Sequence, residues 1–330
     1  MMISRLERRR TVLALFLVGA VLIVALYGLI CRTIPIHILY EAAAPNAVSI
    51  PPRYYVNGVW VKRFSDDQDA QHVSDLTIVT LNVWFGKLYS GIRWQKSLDT
   101  IRDMTPDVIC LQECTAAFLA LARRQPWIRE SFVLSDVDGS TFDNGSWYGA
   151  AILVHRRLPI VSIQKVPFEQ TRLGRSLVRV VLAFKNALVA VGTFHLESYC
   201  EDRPVREHQL RQVTQHLRSW PVAIVCGDFN VCDDVGETQH IANLGWADSY
   251  ASEGDDGATY GDWHPSDKEP RARLDRVLYR SLDKGLVQST SYRTFGRIAV
   301  DLPADAPPNH IGRVFPSDHL GVVVRFHFGT

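Results

Sequence analysis

The sequence predicts an α/β fold in which two β-sheets pack together and helices flank them. Apolar segments of strand length alternate with segments whose apolar residues recur at helical spacing. Other strands follow one another without an intervening helix, whereas a purely parallel sheet needs a helix after nearly every strand. Several strands are followed directly by a polar side chain, which indicates a site where strand ends meet.

The predicted elements cover the chain from Leu76 onward. Strands are expected at Leu76–Leu81, Val108–Leu111, Gly149–His155, Leu177–Phe184, Leu188–Phe194, Val222–Cys226, Leu274–Tyr279 and Gly321–Phe328. Helices are expected at Ser90–Met104, Thr115–Arg124 and Arg206–Leu217, the first of them stopping before Pro106. Because Val222–Cys226 consists entirely of small or β-branched apolar residues, we place it at the centre of a sheet.

The N-terminal part of the chain predicts a membrane anchor. Thr11–Ile30 is an uncharged run of roughly twenty residues, long enough to span a bilayer. We therefore expect a basic tail over residues 1–10, a transmembrane signal anchor over 11–31, a linker over 32–75 with a short hairpin at Asn57-Gly58, and a catalytic domain over 76–330. Arginines precede the run, so the N-terminus should be cytoplasmic and the domain extracytoplasmic. A cleaved secretory signal or an organellar presequence is the alternative.

Composition narrows the possible functions. The 330 residues include 36 Lys and Arg and 35 Asp and Glu, so the net charge is +1. This charge does not indicate an extended basic surface for binding nucleic acid. The cysteines form no CxxC pair and no regular framework, which argues against structural zinc and a disulfide scaffold. No Gly-rich phosphate loop or serine nucleophile elbow is present, so nucleotide-triphosphate and ordinary acyl-transfer chemistry lack support.

Polar side chains at the strand ends form the candidate site. They are Asn82, Glu113, His195, Asp228 with Asn230, Asp275, and Asp318 with His319. Any one of them, taken alone, is more often an ion pair or a cap than a catalytic group. Together, carboxylates, carboxamides and imidazoles suit Mg²⁺ or Mn²⁺ and a phosphate ester. The set therefore favours hydrolysis of a phosphodiester or phosphomonoester.

Six motifs resemble, in order and approximate spacing, those of the endonuclease/exonuclease/phosphatase superfamily. They are TLNVW at 80–84, LQE at 111–113, HLES at 195–198, GDFN at 227–230, RLDRVLYR at 273–280 and FPSDHLG at 315–321. The resemblance covers Leu76 to the C-terminus and implies a four-layer, DNase I-like α/β sandwich. Within the superfamily the motifs are most similar to the 5′-tyrosyl-DNA phosphodiesterases, which hydrolyse the bond between a tyrosine and a DNA 5′-phosphate. Cys232 stands where that family usually has an arginine.

The resemblance implies a metal site and a hydrolytic centre. Glu113 would hold Mg²⁺ or Mn²⁺, with Asn82 and Asp318 beside it, and the ion would neutralise the phosphate and its leaving oxygen. Asp228 would orient or deprotonate the attacking water, and Asn230 would donate to the phosphoryl group.

The same resemblance assigns the remaining residues. His319, oriented by Asp275, would stabilise charge on the transition state, and His195 would be a second phosphate donor. Substrate binding would fall to Ser198, Ser317 and Arg206. Tyr260 is a further candidate for substrate binding, because its Gly- and Asp-rich loop suits stacking on a base or an aromatic leaving group, with core packing as the alternative. Arg172, Arg175 and Arg179 precede or lie on a strand facing the HLES segment, where a solvated face is the default and a contact with a nucleic-acid backbone is the alternative.

The expected function is that of a monomeric, Mg²⁺-dependent phosphodiesterase acting on a 5′-tyrosyl-DNA-like substrate or another nucleic-acid 5′ end. The predicted anchor over residues 11–31 and the near-neutral charge leave open a membrane-tethered member of the superfamily that cleaves lipid or inositol phosphates, or a non-specific nuclease. A scaffold that has lost catalysis is a third possibility, against which the intact polar set argues.

Overall fold

Two β-sheets pack face to face in the computed structural model, and helices lie on the outer face of each sheet. The structure describes residues 46–63, 72–142, 145–184, 187–231, 235–250, 257–261, 271–283, 285–306 and 312–329. Asn46–Thr330 form one compact unit. The arrangement confirms the predicted pair of mixed sheets flanked by helices.

The described elements are fifteen strands and five α-helices. The strands are β1 (Val48–Ser49), β2 (Arg53–Val56), β3 (Val59–Lys62), β4 (Asp75–Asn82), β5 (Val108–Thr115), β6 (Phe132–Leu134), β7 (Tyr148–His155), β8 (Ile160–Pro167), β9 (Ser176–Ala183), β10 (Leu188–His195), β11 (Val222–Asp228), β12 (Ala247–Asp248), β13 (Asp275–Ser281), β14 (Val287–Phe295) and β15 (Gly321–Phe328). The helices are α1 (Ser90–Arg102), α2 (Ala116–Ala122), α3 (Pro126–Ser131), α4 (Arg203–Leu217) and α5 (Val235–Asn243), with a 3₁₀ turn at Cys200–Asp202. One sheet has the order β1-β8-β9-β10-β11-β13-β12 and the other β14-β15-β4-β5-β7-β6-β2-β3.

Two parallel strand pairs bring distant segments to one edge of the sandwich. In the pair β10–β11, His195 lies opposite Asp228, and the antiparallel neighbour β13 places Asp275 on the other side of Asp228. In the pair β4–β5, Asn82 lies opposite Gln112. Because parallel strands end at the same edge of a sheet, side chains that are far apart in sequence meet there.

Gly227 sets how closely β10 and β11 approach at this edge. Its φ is +144°, and a Cβ atom built there would overlap the carbonyl oxygen of Phe194, its partner in β10. A main-chain oxygen held in a sheet cannot move aside as a flexible side chain can. Gly227 therefore keeps His195 and Asp228 paired at the next position of the ladder.

The main core lies between the two sheets and is built from their inner faces, for example Ile78, Val191, Ile224 and Val324. Val222–Cys226 is buried throughout, which explains why this segment is continuously apolar and does not alternate. A second core lies under α1 and α2, where Trp94 and Phe118 meet edge to face with ring centroids 5.7 Å apart. On the outer face of the other sheet, Leu217 of α4 approaches Gly192 of β10.

Every predicted strand and helix is present, with ends shifted by a few residues. The prediction missed the strands β1, β6, β8, β12 and β14 and the helices α3 and α5. Only the first and last residues of β14 are buried. The polar residues between them in VQSTSYRTF leave no alternation of apolar and polar side chains from which a strand could be predicted. Strands on the solvated margin of a sheet need fewer apolar residues than central strands.

Residues 46–62, which fall within the predicted linker over 32–75, belong to the folded unit. β1 pairs with β8, and the hairpin β2–β3 extends the other sheet through β6. The hairpin turn at Asn57-Gly58 is confirmed, with φ of +49° and +88°, values that a two-residue hairpin turn requires. Tyr54, which is 7% exposed, fixes the hairpin to the domain.

The predicted tail over 1–10 and anchor over 11–31 lie outside the described residues, so the membrane span stays a prediction. Within the described ranges, none of the helices combines the length and the apolar character needed to cross a bilayer.

Candidate active site

A cavity of about 330 Å³ opens at the edge where the parallel strands end. Nine of the predicted site residues line it: Glu113, His195, Ser198, Arg206, Asp228, Asn230, Tyr260, Asp318 and His319. The other three, Asn82, Asp275 and Ser317, do not line the cavity but hydrogen-bond to residues that do. The structure therefore brings all the predicted residues into one site.

Asp228 is the centre of the hydrogen-bond network. Its Oδ2 accepts from Asn82 Nδ2 at 3.1 Å and lies 3.2 Å from His195 Nε2, and its Oδ1 accepts from the main-chain N–H of Asn230 at 2.9 Å. Burial alone would raise the pKa of Asp228, but the facing imidazoles of His195 and His319, with these hydrogen bonds, hold it below its usual value. Asp228 is therefore an anion at neutral pH.

His319 and Asp275 form a buried ion pair. His319 Nδ1 lies 2.8 Å from Asp275 Oδ2, and His319 Nε2 lies 3.7 Å from Asp228 Oδ2. Burial would lower the pKa of His319, but the charges of Asp275 and Asp228 raise it well above the ordinary value. Burial also raises the pKa of Asp275 to about 6. At neutral pH the pair is an imidazolium held by a carboxylate, with Nε2–H facing the cavity.

His195 behaves differently from His319 although both are buried. Burial first, and then the positive charge of Arg175, lower the pKa of His195 to about 3, so the imidazole is neutral. Its Nε2–H can donate to Asp228, while Nδ1 lies 4.0 Å from Glu113 Oε1. The predicted role of a phosphate donor therefore competes with the contact to Asp228, which holds that carboxylate in place.

Glu113 reaches the cavity because β5 is irregular. The pairing of β5 with β7 shifts register between Leu111 and Cys114, and Glu113 has a φ of +57°. A bulge of this kind re-aims a side chain that the alternation of the strand would point elsewhere. Glu113 Oε2 accepts from the main-chain N–H of Phe85 at 3.1 Å, which fixes the carboxylate.

The carboxylates of Glu113, which is partly buried, and of Asp318, which is buried, form a pair that fits a divalent cation. Burial, followed by the negative charge of Asp318, raises the pKa of Glu113 to about 7. The neighbouring guanidinium of Arg93 donates to main-chain carbonyls of residues 86, 88 and 316. A divalent ion would relieve the repulsion between the two carboxylates, and the amide oxygen of Asn82 nearby is a further ligand of the type that Mg²⁺ and Mn²⁺ prefer.

A second group of potential ligands shares the site. Asp228, Asp275 and His319 each place one ligand atom within 4.8 Å of the others. Because the pKa of His319 is raised, an ion held there would have to displace a proton from the imidazole, as it would from Glu113. The contact of His319 Nδ1 with Asp275 Oδ2 at 2.8 Å already accounts for the closeness of these two residues.

The affinity for a divalent cation is expected to depend on pH through Glu113. Because its pKa is raised to about 7, an ion must displace a proton from Glu113 at lower pH. The affinity should rise with pH by up to about tenfold per unit below that value and level off above it. Calorimetric titration with Mg²⁺ across that range tests this, and Glu113→Gln should remove the dependence. A pH-independent affinity in the unaltered protein would contradict it.

Asn230 and Ser198 line the cavity, whereas Ser317, predicted to bind substrate, does not. Asn230 has a φ of +51°, and its Nδ2 donates to the main-chain oxygen of Leu196 at 3.1 Å and to Ser198 Oγ at 3.4 Å. Ser317 is buried, and its Oγ donates to the main-chain oxygen of Asn82 at 2.6 Å. Ser317 therefore joins two strand ends, whereas Asn230 and Ser198 remain at the cavity.

Tyr260 stacks against His319 with ring centroids 4.9 Å apart, and its main chain bridges to both His319 and Ala272. The half-buried phenol ring lines the cavity, as predicted for a substrate contact. Cys232 lies outside the described residues, so the structure gives no account of that substitution.

Arg206 has a different role from the predicted substrate contact. Its guanidinium is buried, with Nε and Nη2 donating to the two carboxylate oxygens of Glu237 at 2.8 and 2.9 Å. Its Nη1 donates to the main-chain oxygens of Glu197 and Tyr199. Although Arg206 borders the cavity, four of its five N–H groups are engaged with protein acceptors, so its main role is to fix the HLES segment.

Removing one partner of this pair is expected to destabilise the fold. Glu237→Ala would leave the buried guanidinium of Arg206 without its counter-charge, so we expect the free energy of unfolding to fall by about 3–5 kcal/mol. Chemical denaturation measures this. The double replacement of both residues by methionine is the control and should recover most of the loss, because no buried charge remains. A change below about 1 kcal/mol in Glu237→Ala would contradict the assignment.

Sequence reasoning missed two residues near the cavity, Cys200 and Tyr148, and did not single out a third, Arg175. Cys200, an exposed free cysteine, lines it directly. The guanidinium of Arg175 donates to Ser198 Oγ at 3.1 Å and lies over the ring of Tyr148, 5.3 Å from its centroid. Arg175 was only one of three candidate arginines, and Tyr148 and Cys200 carry no local signal because they meet the site through tertiary packing.

Comparison with known proteins agrees with this geometry. The profile of the endonuclease/exonuclease/phosphatase family matches residues 79–319. Tyrosyl-DNA phosphodiesterase 2 of Danio rerio is 25% identical over 238 residues, covering 68% of this chain and 58% of that protein. The chain therefore spans little more than half the length of this relative.

Solved structures share the fold. The crystal structure of D. rerio TDP2 complexed with single strand DNA product superposes with a TM-score of 0.63 at 22% identity, covering 77% of this chain and 100% of that one. TDP2 from Caenorhabditis elegans gives a TM-score of 0.60 at 21% identity, covering 77% of this chain and 75% of that one. Since the family profile spans well over half of the sequence, the chain belongs to the endonuclease/exonuclease/phosphatase family.

Proposed function

We propose that the chain is a divalent-metal-dependent phosphodiesterase acting on a nucleic-acid 5′ end, with a 5′-tyrosyl-DNA-like phosphodiester as its substrate. The observation that carries the proposal is a single cavity with a carboxylate pair on one side and the imidazolium of His319 facing the same space. Similarity to tyrosyl-DNA phosphodiesterase 2 supports the choice of substrate.

Glu113 would hold Mg²⁺ or Mn²⁺, with Asp318 and Asn82 beside it. When bound, such an ion neutralises the phosphate and stabilises charge on the leaving oxygen. The protein prepares this position by placing Glu113 on a bulge and fixing it with the N–H of Phe85.

Asp228 would orient the attacking water. Its lowered pKa makes it a weak base at neutral pH, whereas an anion held by Asn82, His195 and the N–H of Asn230 is a rigid hydrogen-bond acceptor. The water would donate to Asp228 and keep its lone pair directed at phosphorus.

His319 would stabilise the negative charge that develops on the phosphoryl oxygens. Its Nε2–H faces the cavity while Asp275 holds Nδ1, so the donor is oriented before the substrate arrives. Asn230 would add a neutral donor by exchanging its 3.4 Å contact with Ser198 Oγ for a phosphoryl oxygen. Tyr260 would stack on a base or on an aromatic leaving group.

A panel of phosphoesters tests the proposed function. The full chain, purified in mild detergent, would be assayed with Mg²⁺ on 5′-tyrosyl DNA, plain single-strand DNA, sphingomyelin and an inositol phosphate. We expect release of tyrosine from the first substrate at a rate well above turnover of the other three. Glu113→Ala should abolish the release, and Glu130→Ala, which alters an exposed glutamate of α3, is the matched control.

Preferential cleavage of sphingomyelin or the inositol phosphate would replace the nucleic-acid substrate with a lipid or soluble phosphate. Equal cleavage of both DNA substrates would indicate a non-specific nuclease. No turnover of any substrate with either Mg²⁺ or Mn²⁺ would overturn the proposal as a whole.

A further inference from the structure

Glu197 is a fully buried carboxylate that the proposed chemistry does not use. It lies two residues after His195, and its Oε1 accepts three hydrogen bonds from the loop between β8 and β9. The donors are Thr171 Oγ1 at 2.6 Å, the N–H of Arg172 at 2.8 Å and the N–H of Leu173 at 3.2 Å. Burying a charge is costly unless several donors compensate for it, so this carboxylate fixes the loop in one position.

The hydrogen bonds continue from Glu197 to the cavity. Thr171 Oγ1 donates to Glu197 and accepts from the N–H of Arg175 at 2.8 Å. The guanidinium of Arg175, itself 6% exposed, donates to Ser198 Oγ at 3.1 Å and lies over the ring of Tyr148. Ser198 follows Glu197 in the chain and lines the cavity. Hydrogen bonds thus connect Glu197, through Thr171 and Arg175, to Ser198 at the cavity.

Gln209 of helix α4 connects Glu197 to the same loop by two further hydrogen bonds. Gln209 Oε1 accepts from the N–H of Glu197 at 3.2 Å, and Gln209 Nε2 donates to the main-chain oxygen of Gln170 at 2.9 Å. Residues 169–172 are themselves exposed, so the loop has little apolar burial to hold it. Its conformation depends on these polar contacts, and Glu197 supplies three of them.

We infer that Glu197 is a positioning residue, which fixes the β8–β9 loop so that Arg175 holds Ser198 and Tyr148 in place for substrate binding. It acts through Arg175 and is not itself among the residues that line the cavity. For its kinetic readout, the inference rests on the proposed phosphodiesterase function.

Glu197→Ala is expected to raise KM for the preferred substrate by about tenfold with less than about a threefold change in kcat, as loss of one charge-assisted contact would. Glu197→Gln should recover most of the loss, since an amide oxygen still accepts from the loop. Glu201→Ala is the matched control, because Glu201 is an exposed glutamate in the same segment. Thr171→Val provides a milder variant, because it removes the two hydrogen bonds of Thr171 Oγ1, to Glu197 and from Arg175, but leaves those that Glu197 accepts from the N–H groups of Arg172 and Leu173. It should also raise KM.

The double variant Glu197→Ala with Arg175→Ala tests the route. If Glu197 acts through Arg175, the double variant should have the KM of Arg175→Ala alone. Additive increases in KM, or a loss of kcat at unchanged KM, would overturn the inference.

Amide hydrogen exchange supplies a readout that needs no activity. The N–H groups of Arg172, Leu173 and Arg175 should exchange faster in Glu197→Ala than in the unaltered protein, with β10 and β11 unchanged, and Glu201→Ala should show no such difference. Unchanged exchange in the loop would overturn the inference. If the unaltered protein cleaves nothing in the substrate panel, the proposed function fails, while the exchange result still decides the role of Glu197.

Discussion

His319→Ala is expected to lower kcat by about a hundredfold to a thousandfold or more, because it removes a preorganised cationic donor from the transition state. The effect should fall on kcat more than on KM, since the charge that His319 meets develops fully only as the phosphoryl group is transferred. Steady-state kinetics on 5′-tyrosyl DNA, or on whichever substrate the panel selects, measures both constants.

Asp275→Asn tests the same role of His319 by removing its ion-pair partner. Without the carboxylate that raises its pKa, His319 should lose much of its positive charge at neutral pH, so kcat should fall in the same direction. Combining both changes should cost little more than His319→Ala alone, because the two residues act as one unit. His327→Ala, which removes an exposed histidine paired with Asp75, is the matched control and should retain full activity. A fully active His319→Ala would refute the proposed role.

The second large effect is expected at Glu113. Glu113→Gln keeps the size of the side chain but removes the charge that makes the carboxylate pair attractive to a cation, so we expect at least about a hundredfold weaker Mg²⁺ binding. Activity at a fixed, limiting Mg²⁺ concentration should fall at least as far. Calorimetry and the Mg²⁺ dependence of the rate measure the two quantities independently.

Glu130→Gln changes an exposed glutamate in the same way and should alter neither quantity. Glu113→Gln should also be more stable than the unaltered protein when no metal is present, since the repulsion from Asp318 is gone. Unchanged Mg²⁺ binding in Glu113→Gln would place the metal elsewhere.

The central strands could be predicted from the sequence because burial on both faces leaves a local signature. Val222–Cys226 is continuously apolar since both sides of β11 are covered, and the polar residues that follow it mark the edge where the strand ends. The same logic found Asn82 at the end of β4 and His195 at the end of β10. Local sequence patterns and the motif resemblance were therefore enough to predict the site residues that lie at strand ends.

Features that depend on tertiary contacts could not be predicted in this way. The bulge that turns Glu113 toward the cavity results from the pairing of β5 with β7. The LQE motif alone does not predict it. Arg206 resembled a substrate contact because an arginine near a phosphate site is expected to bind it. Only the position of Glu237, in a separate helix, shows that the guanidinium is already occupied.

Gly227 gives a criterion for telling active relatives from inactive ones. Because any Cβ at this position would overlap the Phe194 carbonyl, even alanine would force the two neighbouring strands to separate. A homologue could keep every polar residue of the site, carry Ala in place of this glycine, and still have its histidine and aspartate too far apart to cooperate. Such a protein should be counted as a pseudoenzyme, however complete its catalytic motifs look in an alignment.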